Sequence, residues 1–254
     1  MMNLAKRIIL WMLERNKAGM KIVSLYRMWR YSHGIDVLHD IKILLPRYMP
    51  EIIFDVGANV GQSTRQFLSW FPQSQIYCFE PVSSTFIELK KNVKSFSNVH
   101  CFKLALGSSK GRKNMYGGTC PLMYSINPRA NGMFHANSKL ESVEIDTLDE
   151  FCHRQEIIKI NFLKIDTEGY DFEVLRGAKE ILSRQMVDIL QVEAGMNPKN
   201  QKFVTFEKFK IHLEKRGYFL FGIYEQVLEH LINKVYLRRT NPVFISERMI
   251  NMYK

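Results

Sequence analysis

The sequence lacks any apolar run long enough to cross a bilayer. The longest near its start, Ile8 to Leu13, ends at Glu14, whereas a spanning helix needs about 20 apolar residues. The same run is too short for a signal peptide, so the expected location is cytoplasmic. Cysteine is scarce. Cys78, Cys101, Cys120 and Cys152 show no CxxC spacing, which fits a reduced compartment and gives no support to a disulfide framework or a cysteine zinc site. No internal repeat or low-complexity tract is visible. The histidines are scattered, and His33, His100, His135, His153 and His212 read as surface or packing residues, with His135 a reserve base. Asp166, Glu193 and Asn197 carry oxygen donors, but no cluster has metal-ligand spacing, and no metal is expected. Two phosphate motifs are also missing. The chain contains neither the GxGxxG fingerprint of dinucleotide sites nor the GxxxxGK[ST] of phosphate-cradling loops at its glycine turn.

That turn is the most informative segment present. Ile52-Ile53-Phe54-Asp55-Val56-Gly57-Ala58-Asn59-Val60-Gly61-Gln62-Ser63-Thr64 reads as a buried strand, a glycine turn and a helix start. Gly57 and Gly61 free the backbone to turn sharply and approach a ligand closely. A turn beside an acidic strand end, without the phosphate signatures, suits a cofactor with a cationic amino-acid moiety. S-adenosylmethionine is such a cofactor. A second strand, Gln75 to Phe79, runs into Glu80, 25 residues beyond Asp55. A carboxylate there can accept hydrogen bonds from both hydroxyls of a ribose. Asp55, Gly57, Ala58, Asn59, Gly61 and Glu80 are therefore the expected cofactor contacts.

The rest of the chain alternates strand and helix. Helices are expected over Ser63–Trp70, Ser83–Lys94 and Asp171–Leu182, with Asp171 as a cap. Strands are expected over Val99–Leu104, Ile160–Asp166 and Val187–Val192. This order predicts a parallel sheet with ligands at the carboxyl ends of its strands, where Asp55, Glu80 and Asp166 fall. Residues 107–142, rich in Gly, Ser and Asn, break the alternation and read as an inserted loop or hairpin. The aromatics Phe203, Phe206, Phe209, Tyr218, Phe219 and Phe221 are expected to face the core. With 46% hydrophobic residues in 254, one substantial core in one large α/β domain is the economical expectation.

Asp55-Val56-Gly57-Ala58-Asn59-Val60-Gly61, Phe79-Glu80-Pro81, Leu104-Ala105-Leu106-Gly107, Leu163-Lys164-Ile165-Asp166-Thr167-Glu168-Gly169-Tyr170-Asp171 and Val174-Leu175-Arg176-Gly177-Ala178 resemble the FkbM-type methyltransferases in order and spacing. The resemblance spans about residues 50 to 195. It implies a class I Rossmann-like fold, with a mostly parallel seven-stranded sheet and helices on both faces. It also implies S-adenosylmethionine as cofactor, adenine contacts at Ala105 and Leu106, and O-methylation of a hydroxyl on a saccharide, glycolipid or polysaccharide precursor. A sugar hydroxyl must lose its proton as it attacks, so a carboxylate base is needed. Asp166 and Glu168 are the first candidates and Glu193 the third. The Asn-Pro-Pro-Tyr signature of enzymes that methylate amino groups is absent, Asp166-Thr167-Glu168-Gly169 standing in its place.

The net charge of +11 is uneven. Residues 1–50 hold nine Lys or Arg against three acids, residues 199–254 eleven against five, and the middle sixteen against seventeen. In the first flank Leu4, Ile8, Trp11, Met12 and Arg15 fall at helical spacing beside Lys6, Arg7 and Lys17. The expected organisation is a basic helical extension over 1–48 and a catalytic domain over 49–254. Such a helix suits packing on the core with solvated lysines, or peripheral contact with an anionic membrane surface at the inner face. Basic flanks also raise two other readings, an RNA methyltransferase or a non-catalytic cofactor- or glycan-binding protein, and of these nucleic acid is the less favoured partner.

Overall fold

The computed structural model describes residues 33–117, 124–126, 140–197, 199, 202–229 and 235–253. The chain divides into two compact units, Met1–Asp36 and Val37–Lys254. The first lies almost wholly outside the described residues, as does the basic helix expected at its start. The second carries the fold.

Its first strand, β1 (Ile52–Val56), is buried over its last four residues. Burial of successive residues, Asp55 among them, marks a strand covered on both faces, as in a parallel sheet. It pairs in parallel with β2 (Gln75–Phe79) on one side and with β8 (Ile160–Ile165) on the other. Beyond β2 lies β3 (Val99–Phe102), again parallel. Beyond β8 lies β9 (Val187–Gln191), also parallel. Then come two antiparallel strands, β12 (Leu237–Ser246) and β11 (Tyr218–Leu228), and the two-residue β10 (Ala194–Gly195) extends the edge of β12 that β9 occupies. The order is β3-β2-β1-β8-β9-β12-β11. This is the mixed sheet of class I methyltransferases. From β1 the chain builds outward to β3 and then crosses back to β8, so the crevice at the carboxyl ends of β1 and β8 is the topological switch point where such sheets bind ligands.

Side chains alternate across the sheet, so neighbouring residues feed two separate cores. Phe54, Phe79, Leu163 and Leu190 pack on one face with Phe151, Val174 and Phe209. Ile53, Cys78, Phe162 and Ile189 pack on the other with Phe67, Leu89 and Tyr224. Helix α1 (Val37–Leu44) sends Leu38 and Ile41 into this second core, and its Asp40 accepts a 3.0 Å hydrogen bond from Tyr224. Helices α2 (Gln62–Trp70) and α3 (Ser83–Val93) follow β1 and β2.

Part of the segment 107–142 builds a second sheet, β4-β7-β5-β6. In it β5 (Gly111–Gly117) runs antiparallel to β7 (Leu140–Asp146), β4 (Ala105–Leu106) lies parallel to β7, and β6 (Tyr124–Ser125) pairs with β5. Helix α4 (Leu148–Arg154) leads from β7 to β8.

Three expectations need correction. The helix expected over Asp171–Leu182 is two, α5 (Asp171–Arg176) and α6 (Lys179–Ser183). The break falls at Gly177, where a Cβ would overlap the carbonyl oxygen of Gly107. The chain passes so close to the loop after β4 that only glycine fits. Phe219 does not face the core: it is 46% exposed, because β11 is an edge strand and the residue after buried Tyr218 points outward. Cys101, on a strand whose apolar run suggests burial like that of Cys78, is only half-buried, since β3 closes the opposite edge. Helix α7 (Phe206–Glu214) does bury Phe209.

Candidate active site

The glycine turn is built from left-handed backbone. Gly57, Asn59 and Gly61 have φ of 81°, 52° and 91°, a region glycine enters freely and asparagine tolerates. Gly57 and Ala58 donate their N–H groups to the carbonyl oxygen of Phe79, at 2.9 and 3.0 Å, which ties the turn to the end of β2. A Cβ on Gly57 would overlap the carbonyl oxygen of Asp166. The turn therefore lies against the end of β8 as well.

Between these strand ends opens a cleft of about 320 Å³. Gly57, Ala58, Asn59, Glu80, Ala105, Leu106, Asp166 and Glu168 all line it. Glu80 is buried, and it accepts hydrogen bonds from the backbone N–H of Asn59 (3.1 Å) and of Val82 (2.9 Å). Burial pushes its carboxyl up to about 7 despite those two donors. Its position matches the acceptor needed for a ribose. The small apolar strand end Leu104-Ala105-Leu106, with Phe79, Met115 and Ile126 also on the wall, provides a slot for a flat heterocycle.

Two expected contacts lie elsewhere. Asp55 is fully buried behind the turn. It accepts a 2.7 Å hydrogen bond from the Thr64 hydroxyl of α2 and lies 3.8 Å from Lys164. Burial raises its carboxyl above the ordinary value, against the pull of Lys164. The pleat turns Asp55 toward α2, so it holds the turn in place from behind. Gly61 is not on the wall either. A Cβ there would press on Leu89 at 3.0 Å and Val93 at 3.4 Å, so this glycine lets the turn pack on α3.

On the far side of β1, the turn after β8 carries the acids. Asp166, with a side chain 35% exposed, receives a 3.0 Å hydrogen bond from Lys164. Burial alone would raise its carboxyl, but Lys164, Arg239 and Lys202 outweigh it and hold the group below the usual carboxylate range. Glu168 sits at φ 54°, a strained conformation for a residue with a side chain. Its Oε2 is paired with Lys202 at 2.5 Å, and its carbonyl accepts from Ser125 at 2.8 Å. Asp171 does not cap α5. Instead its buried carboxyl accepts from the N–H and hydroxyl of Thr167 and from the N–H of Glu193, bracing the turn. Burial, with Asp166 nearby, pushes it up to about 7. Glu193 is off the wall, buried against Arg239 at 2.7 Å. Burial and the neighbouring acids Asp166 and Asp171 raise its carboxyl well above normal. It belongs to the support of the site, not to its surface.

Lys164 ties the two halves of the site together. It lies on β8 between Leu163 and Ile165, buried, and bridges Asp55 to Asp166. Burial pulls its ammonium down, and the two aspartates more than reverse this, so it stays charged. The signal was available, since a lysine inside a fully buried, mainly apolar strand must find a buried partner. Tyr170, also on the wall, accepts a 2.6 Å hydrogen bond from Lys113 of β5; nothing in the sequence joined those two.

Residues 55–220 match the family described as Methyltransferase FkbM domain. The chain belongs to the FkbM methyltransferase family. Among characterised relatives, the methyltransferase is 26% identical over 186 residues to the 2-O-methyltransferase NoeI of Sinorhizobium fredii, covering 66% of this chain and 76% of that one. It is 27% identical over 203 residues to the hexuronic acid methyltransferase AglP of Haloferax volcanii, covering 78% and 80%. Among solved structures, TrmK of M. capricolum with S-adenosylhomocysteine aligns with a TM-score of 0.46 at 10% identity, covering 85% of this chain and 70% of that one. The methyltransferase is S-adenosylmethionine-dependent. The cleft fits that cofactor: Glu80 suits the ribose, the Ala105–Leu106 edge the adenine, and ionised Asp166 a cationic group. Among the described residues no cluster of His, Cys, Asp and Glu could hold a metal ion, and no helix is long and apolar enough to cross a membrane.

Proposed function

We propose that the methyltransferase methylates a hydroxyl of a saccharide or saccharide-bearing precursor. The observation that carries this is the pairing of Asp166 and Glu168 on the cleft wall, across β1 from Glu80. S-adenosylmethionine supplies an electrophilic methyl on a sulfonium sulfur. The chain supplies the rest. Glu80, Asn59 and the apolar slot hold the nucleoside. Asp166, kept ionised by Lys164, holds a cation or orients the incoming hydroxyl. Glu168, tethered through one oxygen by Lys202, takes the hydroxyl proton as the oxygen attacks. General-base help of this kind contributes about 10²–10⁴-fold, and alignment of oxygen, methyl and sulfur supplies much of the remainder. NoeI, a 2-O-methyltransferase, supports an oxygen as the methyl acceptor, and AglP, a hexuronic acid methyltransferase, supports a saccharide as its carrier.

The test uses S-adenosylmethionine carrying a ¹³C methyl and a saccharide panel, with the product identified by NMR. A new O–CH₃ resonance, lost in Glu168→Gln while S-adenosylhomocysteine still binds, supports the proposal. An N–CH₃ product, or a Glu168→Gln variant with full turnover, refutes it.

A further inference from the structure

A second cavity, about 490 Å³, adjoins the cofactor cleft and shares Tyr170 and Ile126 with it. The two meet at the turn that carries Asp166 and Glu168. Segments distant in sequence form this groove: β5 with Lys113, Ile126 just beyond β6, the turn and start of α5 with Tyr170, Phe172 and Glu173, and α7 with Lys208. An acceptor has to lie beside the reactive end of the cofactor, and on the acids' side this groove is the adjoining space.

Its charge is one-sided. Lys113 donates to the Tyr170 hydroxyl and lies 5.0 Å from the centre of that ring. Lys208 lies 4.2 Å from the centre of the Phe172 ring. Neither ammonium makes an ion pair among the described residues. Among the described residues that line the groove the one carboxylate is Glu173, already engaged: Arg176 reaches both its oxygens at 3.1 Å and Ser108 donates at 2.6 Å. Burial favours its neutral form, but Ser108, Arg176 and Lys113 together keep it ionised and below its usual range. His212, packed edge-on against Phe172, is pushed down to about 4 by burial, Arg216 and Lys208, so it adds no charge near neutrality. The groove thus carries two lysines against one carboxylate that is held mainly by Arg176 and Ser108, with Lys208 over the face of Phe172 and Lys113 at the hydroxyl edge of Tyr170. A neutral sugar would use the rings and leave the charges without partners. An acidic sugar uses both.

We infer that the groove lined by Lys113, Tyr170, Phe172 and Lys208 is the acceptor subsite and that it selects an anionic saccharide, one bearing a carboxylate or phosphate near the hydroxyl that is methylated. This rests on the saccharide reading above, but its test reads binding and needs no turnover.

The protein, saturated with S-adenosylhomocysteine, is titrated calorimetrically with methyl glucoside, methyl glucuronide and glucose 6-phosphate. The same titrations follow on Lys113→Ala, Lys208→Ala and the double variant. At least one anionic probe should bind about five- to tenfold more tightly than the neutral glucoside, as a partly exposed ion pair warrants. That preference should shrink in each single variant, vanish in the double, and weaken as salt rises. Which anion binds better tells a sugar carboxylate from a phosphate. Unchanged S-adenosylhomocysteine affinity shows that the variants are folded. Equal binding of neutral and anionic probes, a preference that survives the double substitution, or no binding of either anion overturns the inference. Preferential anion binding without methyl transfer would sink the proposed reaction and leave the subsite standing.

Discussion

Glu80 makes cofactor binding depend on pH in a way that can be calculated. Its carboxyl titrates at about 7 in the cofactor-free protein because burial penalises the charge. Ribose hydroxyls are donors, so the ionised form is the one that binds. A group raised to this value is mostly neutral at pH 6 and mostly ionised at pH 8, about 9% against about 91% charged, and apparent affinity scales with the competent fraction. Affinity for S-adenosylhomocysteine should therefore rise about tenfold from pH 6 to pH 8 and level off above. Binding should release about 0.9 proton at pH 6, about half a proton at pH 7 and about 0.1 at pH 8, seen as a dependence of the calorimetric heat on the buffer's ionisation enthalpy. Glu80→Gln removes the titration and turns an amide N–H₂ toward the backbone donors of Asn59 or Val82. It should bind about 30-fold more weakly at pH 8, from roughly 2 kcal/mol of lost charged hydrogen bonding, with a flat pH profile. Asp171 titrates in the same range but is not on the cleft wall, so Asp171→Asn should keep the slope. A flat wild-type profile, or an equal slope in Glu80→Gln, refutes the assignment of the ribose acid.

Three further outcomes follow from the same geometry. Lys164→Met strands Asp55 and Asp166 without their shared cation; breaking such a buried set costs about 3–5 kcal/mol, a drop in Tm of roughly 10 °C for a chain of this size, read by calorimetry. Gly57→Ala combines a left-handed backbone with a clash against the Asp166 carbonyl; it should lose at least about 2 kcal/mol of stability and all measurable S-adenosylhomocysteine binding. Asp171 has a folded-state pKa raised to about 7 from 3.8, so its contribution is full below the unfolded value and is lost as pH rises through 7; urea unfolding should show stability falling between pH 5 and pH 8 by on the order of 2–3 kcal/mol from this group, with a shallower fall in Asp171→Asn.

Much of the fold was legible because its strands announce themselves. β1, β2, β8 and β9 are short, mainly apolar runs with Gly, Pro or an acid within two residues of their ends, and the structure ends β2, β8 and β9 within a residue of the expected points. Glu80, Asp166 and Glu168 reach the cleft because they lie just beyond the carboxyl ends of parallel strands flanking the switch point. Asp55 and Gly61 show what a linear pattern leaves out. Both belong to the turn, but the pleat aims one at α2 and packing lays the other on α3. Gly177 splits a helix through a contact with Gly107, about 70 residues earlier in the chain, which no local propensity records. The groove of Lys113, Tyr170, Phe172 and Lys208 is assembled from segments distant in sequence, so its charge exists only in the folded chain.

The most direct test of the central claim is transfer itself. The protein is incubated with S-adenosylmethionine labelled in its methyl group and a pool of saccharides and saccharide-bearing precursors, beside pools of RNA and protein, and the label is followed by fractionation and mass spectrometry. Label is expected on a saccharide oxygen, in the acidic fraction. Label in RNA or protein, or S-adenosylhomocysteine binding with no transfer to any saccharide, would contradict it.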